Sequence, residues 1–366
     1  MAKKIRVGIL FGGRSAEHEV SLQSAKNIIN AIDTNKYEVV LIGIDKNGRW
    51  HLNEESRFLL PATESGLPTL QETGDNLALV PGKQIEQLVA LSGEQRPGSL
   101  DVIFPVLHGP FGEDGTVQGL LKLANLAFVG AGVLGSAIGM DKDVMKRLLR
   151  DAGIPIVRFI AANRYSPKEI DFDYAQGQLG LPLFIKPANL GSSVGIHKVK
   201  DREGFARAVR DAFNYDNKIL IEECINGREI ECSVLGNENP IASVPGEILP
   251  RHEFYSYEAK YLDENGAVLE IPAKLPPATS ERIRQLAIKT FSVLCCEGMA
   301  RVDFFLRNDE EIIVNEINTI PGFTRISMYP KLWEATGISY SELIDKLIEL
   351  AIERFEREKG LKTDRA

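Results

Sequence analysis

Short runs of consecutive apolar residues alternate along this chain with stretches whose apolar positions recur every three or four residues. Residues 6–11 (RVGILF) have the length of a buried strand, and residues 16–32 carry apolar side chains at helical spacing. Further strands are expected at 38–44 and 101–106, followed by a glycine-rich loop and a helix at 115–124. Strand–helix alternation of this kind predicts a parallel, doubly wound sheet. Residues 61–100 break the pattern. They are rich in Pro, Gly, Thr, Glu and Gln with weak periodicity, and read as an irregular peripheral insertion.

Beyond it, a helix is expected at 140–152, stopped by Gly153-Ile154-Pro155. Strands at 183–186 and 195–199 flank a Gly/Ser loop. A helix at 203–213 and strands at 219–223 and 229–235 complete a small α+β unit. Residues 246–276 hold few apolar runs and many charged and aromatic residues, as a long loop acting as a lid would. A helix at 280–294, a hairpin of 298–306 with 312–318 and a final helix at 340–357 follow, without internal repeats. At 366 residues the chain exceeds one ordinary core, which implies two or three domains.

Composition narrows the function. A net charge of −8 argues against a broad basic face for nucleic acid, so any polyanion must be held by a few placed lysines and arginines. No window approaches the roughly 18 apolar residues of a membrane span. The apolar start at 5–11 is interrupted by Arg6 and too short for a signal-peptide core. Cys224, Cys232, Cys295 and Cys296 show no Cys-x-x-Cys spacing and read as reduced thiols of a cytoplasmic protein.

The most informative chemistry lies in the C-terminal hairpin. Residues two apart on a strand share a face, so Arg301 lies beside Asp303 and Glu316 beside Asn318. A turn in the polar run 307–311 places Asp303 opposite Glu316. Two carboxylates and an amide oxygen suit Mg²⁺ shared with substrate phosphates; a solvated strand face is the plainer alternative. Lys186-Pro-Ala-Asn-Leu-Gly-Ser192-Ser193-Val-Gly195 delivers a lysine from a strand into a loop whose amides can approach a phosphate, without the Walker spacing. Lys142 could add a second charge, although alone it reads as a solvated helix lysine. The strand end Glu222-Glu223-Cys224-Ile225 could meet an adenine through its backbone, with Glu222 or Glu229 taking ribose or amino hydrogens; it is equally a plain strand. Residues 11–21 make a strand, a glycine turn and a helix start, fit for an anion or a polar substrate and also explained as a turn capped by Ser15. Their glycines lack the dinucleotide-binding spacing, which counts against a nicotinamide-dependent oxidoreductase.

Seven strings in order, FGGRSAEHEVS, LHGPFGEDG, MDKDVMKRLL, KPANLGSSVG, YSYEAKY, RVDFFL and NEINTIPGFT, resemble the ATP-grasp superfamily and, within it, the D-alanine–D-alanine ligases. The resemblance runs from about residue 4 to about residue 357. It implies a three-domain α/β architecture: an N-terminal substrate domain (1–141, with the 61–100 insertion), a central subdomain (142–235) and a C-terminal subdomain (236–358) carrying the lid at 246–276. It implies ATP-dependent joining of two D-alanines through an acyl phosphate for peptidoglycan precursors, with two Mg²⁺ ions (or Mn²⁺ in their place) and a cytoplasmic homodimer. On matching positions, Lys142, Lys186, Ser192, Ser193 and Lys260 would contact the nucleotide phosphates. Glu222, Glu223, Ile225 and Glu229 would line its pocket, and Asp303, Glu316 and Asn318 would hold the metals. Glu17 and His108 would face the first D-alanine, while Lys260 and Ser327 would receive the second carboxylate. Arg301 and the Gly322 N–H would hold the oxyanion, and Ser192 with Tyr261 would close the lid onto Glu17. Many members carry a lysine where this chain has Glu223, which puts a side-chain contact to adenine there in doubt. Tyr261, absent from relatives that make D-alanyl-D-lactate, favours an amine as second substrate. A catalytically silent nucleotide-binding regulator would have lost Arg301, Glu316 or Lys260, and all three are present.

Overall fold

The computed structural model describes residues 3–53, 70, 76–82, 86–91, 97–166, 171–250 and 267–362. Three sheets succeed one another along the chain. The first contains β1 (Ile5–Gly12), β2 (Tyr37–Ile44), β3 (Trp50–Asn53), β4 (Asn76–Leu79), β5 (Leu88–Ala90), β6 (Val102–Val106) and β7 (Ala127–Phe128), in the spatial order β5-β4-β3-β2-β1-β6-β7. The contiguous group β2-β1-β6-β7 is parallel, as expected of buried apolar runs linked by helices. Strands β3, β4 and β5 add on antiparallel. The 61–100 stretch is therefore not wholly irregular: β4 and β5 lie within it and extend the sheet. Each shows only three or four residues, too few for a period to stand out against the polar composition. Helices α1 (His18–Ala31) and α2 (Thr116–Leu123) follow β1 and β6, so both helix starts sit at the C-terminal edge of the parallel strands.

A helix not anticipated from the sequence, α3 (Val133–Met140), precedes the one expected at 140–152, which is α4 (Lys142–Asp151). Asp141 separates them: extended at the junction, its carboxylate accepts the N–H groups of Asp143 and Val144, both at 3.1 Å. The second sheet is antiparallel and comprises β8 (Phe159–Asn163), β9 (Leu183–Pro187), β10 (His197–Val199) and β11 (Lys218–Glu223), ordered β10-β9-β11-β8. Helices α5 (Phe172–Leu179) and α6 (Arg202–Ala212) bury Phe172 and Phe205 against its back.

The third sheet holds β12 (Arg228–Gly236), β13 (Ile241–Ala242), β14 (Gly246–Pro250), β15 (Ala267–Glu270), β16 (Gly298–Arg307) and β17 (Glu311–Asn318). Two expectations change here. The strand near 229–235 pairs with β16, not with the second sheet. The segment 246–276 is bounded by paired strands β14 and β15, while its centre, 251–266, lies outside the described residues. Helix α7 (Pro277–Val293) covers this sheet, and α8 (Met328–Thr336) and α9 (Tyr340–Lys359) return to the first. One core unites Val7, Phe11, Phe104 and Val129 of the first sheet with Phe323, Trp333, Leu347 and Ile348 near the end of the chain. Phe104 meets Phe323 edge-on at 5.9 Å. The buried Arg354 donates to the carbonyls of Phe128 and Gly130 and stacks 4.4 Å over the Phe128 ring, tying α9 to β7. Among the described residues no helix is long and apolar enough to cross a membrane.

Candidate active site

The three sheets surround an open cleft with about 1040 Å³ of free space, lined by Glu17, His108, Glu113, Ser192, Glu229, Glu231, Arg301, Asp303, Asn315, Glu316, Asn318, Gly322 and Ser327 among others. Its floor is the hairpin of β16 and β17. The ladder pairs Arg301 with Asn318 and Asp303 with Glu316, then shifts by one so that Phe304 opposes Val314. Asn315 is the extra residue of this bulge. The shift matters, because at the register nearer the turn Asp303 would face Asn315 and Glu316 would point to the opposite side.

On this floor Arg301 makes a two-pronged bond to Asp303, with Nε and Nη2 each 2.7 Å from a carboxylate oxygen. Its Nε also lies 2.8 Å from Glu231 on β12. Asn318 donates to Asp303 at 2.9 Å, and Lys142 lies 3.6 Å from Glu316. Among the described residues no group of three or more His, Cys, Asp or Glu side chains forms a metal cage. A cation held here would draw on the carboxylates of Asp303 and Glu316 and on amide oxygens, and Mg²⁺ demands hard oxygen donors. The donors fit that demand: all are hard oxygens, and the buried Asn315 Oδ1 beside them has no hydrogen-bond partner among the described residues.

Buried lysines lie behind one side of the cleft. Lys142, at the first position of α4, sends its ammonium to the Leu190 carbonyl at 2.6 Å, so the Gly/Ser loop is fastened to it. Lys186 on β9 pairs with Glu222 on β11 at 2.6 Å. The other Glu222 oxygen lies 3.2 Å from Lys146, whose side chain is wholly buried and also donates to the Asn315 carbonyl at 3.2 Å. Burial would raise the Glu222 carboxyl, but Lys146 and Lys186 outweigh it and hold it below the ordinary range. Burial pushes the Lys146 ammonium down to about 8, against the pull of Glu222. Glu222 is thus held between two ammonium groups. Glu223 is likewise engaged, its two oxygens bonded to Arg158. Of the acids expected at the nucleotide pocket, Glu229 alone lines the cleft; the adjoining Ile225 is half-buried.

The opposite wall comes from the first sheet. Ser192 donates to Glu17, the residue preceding α1, and joins the Gly/Ser loop to that wall. Ser15 does not cap α1; its hydroxyl accepts the Glu17 N–H at 3.1 Å. Ser192 and Ser193 both hold left-handed backbone at φ of 51° and 60°, a conformation that costs about 1–3 kcal/mol per non-glycine residue and concentrates at ligand-clamping loops. His108 is buried, with its ring between Ser24 Oγ at 3.4 Å and the Ile320 carbonyl at 3.2 Å. Burial lowers its pKa, although Glu17 and the Ile320 carbonyl oppose this, and the ring is neutral at pH 7. Glu113 accepts the Gly109 N–H at 2.9 Å, and burial together with the neighbouring Glu17 pushes it up to about 8. At the remaining corner Ser327 accepts the Thr324 N–H at 3.0 Å, and a side chain at Gly322 would put Cβ 2.8 Å from the Ser327 hydroxyl. Lys260 and Tyr261 lie outside the described residues.

The architecture is matched by known proteins. A family model described as D-ala D-ala ligase N-terminus matches residues 6–131, and one described as D-ala D-ala ligase C-terminus matches 148–349. The chain belongs to the D-alanine–D-alanine ligase family. A curated member of this family from Oceanobacillus iheyensis is 58% identical over 363 residues, 99% of each chain. The solved D-alanine-D-alanine ligase of Coxiella burnetii superposes with a TM-score of 0.85 at 41% identity, over 98% of this chain and 97% of that one. A D-Ala:D-Ser ligase of the family, VanG from Enterococcus faecalis, gives 0.83 at 35%, over 95% and 100%.

Three cleft residues, Glu113, Glu231 and Asn315, escaped the sequence reading, as did Lys146 behind them. Two had a signal to find. Glu231 stands two residues after Glu229 on one strand face, and Lys146 one helical turn after Lys142. Glu113 sits in a loop whose fold sequence spacing does not give, and Asn315 depends on the bulge.

Proposed function

We propose that this chain joins two D-alanine molecules into D-alanyl-D-alanine at the expense of ATP, in the cytoplasm, for cell-wall precursor synthesis. One observation carries the reading: the face of Arg301, Asp303, Glu316 and Asn318 lies in one cleft with Lys142 and with the joined pair Glu17–Ser192. A carboxylate is a poor electrophile and must first gain a leaving group. The first D-alanine, its ammonium held by Glu17 and the neutral His108 ring at its side, directs its carboxylate at the γ-phosphorus of ATP. The P–O bond to ADP breaks as the acyl phosphate forms. Lys142 and Lys186 offset charge on the phosphates, and the backbone near Glu223–Ile225 and the Glu229 side chain receive the nucleoside. Two Mg²⁺ ions (or Mn²⁺) held by Asp303, Glu316 and Asn318 would supply charge neutralisation across the phosphates. The second D-alanine, its carboxylate on Lys260 and Ser327 and its amine free, attacks the acyl carbon. Arg301 and the Gly322 N–H hold the oxyanion until phosphate leaves. Lys260 and Tyr261 belong to a lid that excludes water from the acyl phosphate. The active species is a homodimer.

The test is phosphate release from ATP and Mg²⁺ with D-alanine, L-alanine, D-alanine plus D-lactate, or D-alanine plus D-serine, with products weighed by mass spectrometry. Release with D-alanine alone and D-alanyl-D-alanine as product is expected. D-alanyl-D-serine as the dominant product would move the second site to another amine, and no release with D-alanine would overturn the reading.

A further inference from the structure

We propose that Lys146 is a positioning residue for nucleotide binding: it frees Lys186 to meet a phosphate and holds the bulge that turns Glu316 into the cleft. This deepens the function proposed above and rests on it. Lys146 lies one turn beyond Lys142 on the inner side of α4. Its ammonium joins two sheets, 3.2 Å from the Glu222 carboxylate on β11 and 3.2 Å from the Asn315 carbonyl on β17. Neither contact reaches the cleft directly, since the Lys146 side chain has no exposed surface.

Stability does not account for it. Taking an ammonium group out of water is costly, and apolar replacements of buried ion pairs are often neutral or stabilising. Glu222 already has a partner in Lys186 at 2.6 Å. That partner is the lysine placed to receive a phosphate, and when it turns to the nucleotide the buried Glu222 carboxylate loses it. Lys146 keeps that carboxylate paired, so Lys186 is released at small cost. The second contact acts on the other side of the site. The bulge residue of a ladder is the one left without its regular partner, and Lys146 supplies one to the Asn315 carbonyl. Glu316 follows directly and owes its inward face to that bulge.

Lys146→Met keeps the length and removes the charge. The binding of ADP with Mg²⁺ should be measured by titration calorimetry, and KM for ATP and for D-alanine by steady-state assay. Leaving a buried charged group without its partner predicts roughly 10- to 100-fold weaker ADP binding and a matching rise in KM for ATP. The KM of D-alanine should stay within about twofold. In a Lys186→Met background, Lys146→Met should weaken ADP binding far less, because the two act through one carboxylate. Unchanged ADP affinity, equal rises in both KM values, or full additivity with Lys186→Met would overturn the proposal. Should the methionine variant fail to fold, Lys146→Gln, which keeps a donor for the Asn315 carbonyl without the charge, carries the same expectations. A wild-type protein that binds ADP but does not consume D-alanine would instead refute the ligase reading and leave the Lys146 binding test standing.

Discussion

Replacing Glu113 with glutamine separates its titration from its hydrogen bond. Glutamine can still accept the Gly109 N–H that Glu113 accepts at 2.9 Å, but it cannot ionise. Burial and the Glu17 charge raise the Glu113 pKa from 4.5 to about 8. Between those values the folded protein keeps a proton that the unfolded chain has lost. Wild-type stability therefore falls as pH rises through this window, by at most about 1.4 kcal/mol per pH unit. From about pH 5.5 to about pH 7.5 the ceiling is about 2.7 kcal/mol. The carboxyl opens partly onto the cleft, and solvent there screens roughly half of it, leaving about 1–1.5 kcal/mol. Glu113→Gln should thus gain on the wild type by about 1–2 °C in thermal midpoint between the two pH values. Circular dichroism melts of both proteins across the range measure the difference. Parallel pH dependences would refute the reasoning, and a gain toward acid pH would show that Glu113 is ionised in the folded protein.

The other expectations concern the cleft directly. Glu316→Gln should lower kcat by about 10² or more with an unchanged melting point, as expected when a metal-bridging charge is lost; near-normal turnover would remove Glu316 from the metal site. Arg301→Met should lower kcat by about 10²–10³, and a KM effect alone would make it a binding group instead. It should also leave Asp303 and Glu231 without their cation, so added Mg²⁺ should raise its melting point more than that of the wild type. Tyr261→Phe should admit D-lactate as second substrate, read as ester product by mass spectrometry, and unchanged selectivity would count against a lid tyrosine.

Much of the cleft was legible because its chemistry lies on elements with strong periods. The hairpin carrying Arg301, Asp303, Glu316 and Asn318 follows from two alternating strands and a polar turn, and residues 301 and 318 do pair. What could not be read was the bulge. A strict ladder continued from the turn would oppose Asp303 to Asn315, so the expected pairing of Asp303 with Glu316 was reached without knowledge of the irregularity that produces it. The surroundings of the Glu222–Glu223 pair were hidden for a related reason. Two adjacent acids at a strand end look available to a ligand, yet β-strand geometry sends them to opposite faces, one toward Lys146 and Lys186, the other toward Arg158. The short strands β3, β4, β5 and β7 were invisible because two to four residues cannot show a period. Their pairing depends on neighbours distant in sequence.

The core shared by β1, β6 and α9 has a consequence for how the protein is made. Val7 and Phe104 are made well before Leu343, Leu347 and Ile348, which complete the same core, and before Arg354, which bonds the Phe128 and Gly130 carbonyls. The first sheet must therefore wait, with the face that α9 covers shielded only in part by α1, while the second and third sheets are made. Contacts so far apart in the chain are slow to close, and the exposed face of a waiting sheet invites association. A nascent chain of this protein is most vulnerable in this first sheet, and a truncation that spares every cleft residue but removes α9 leaves that sheet unfinished.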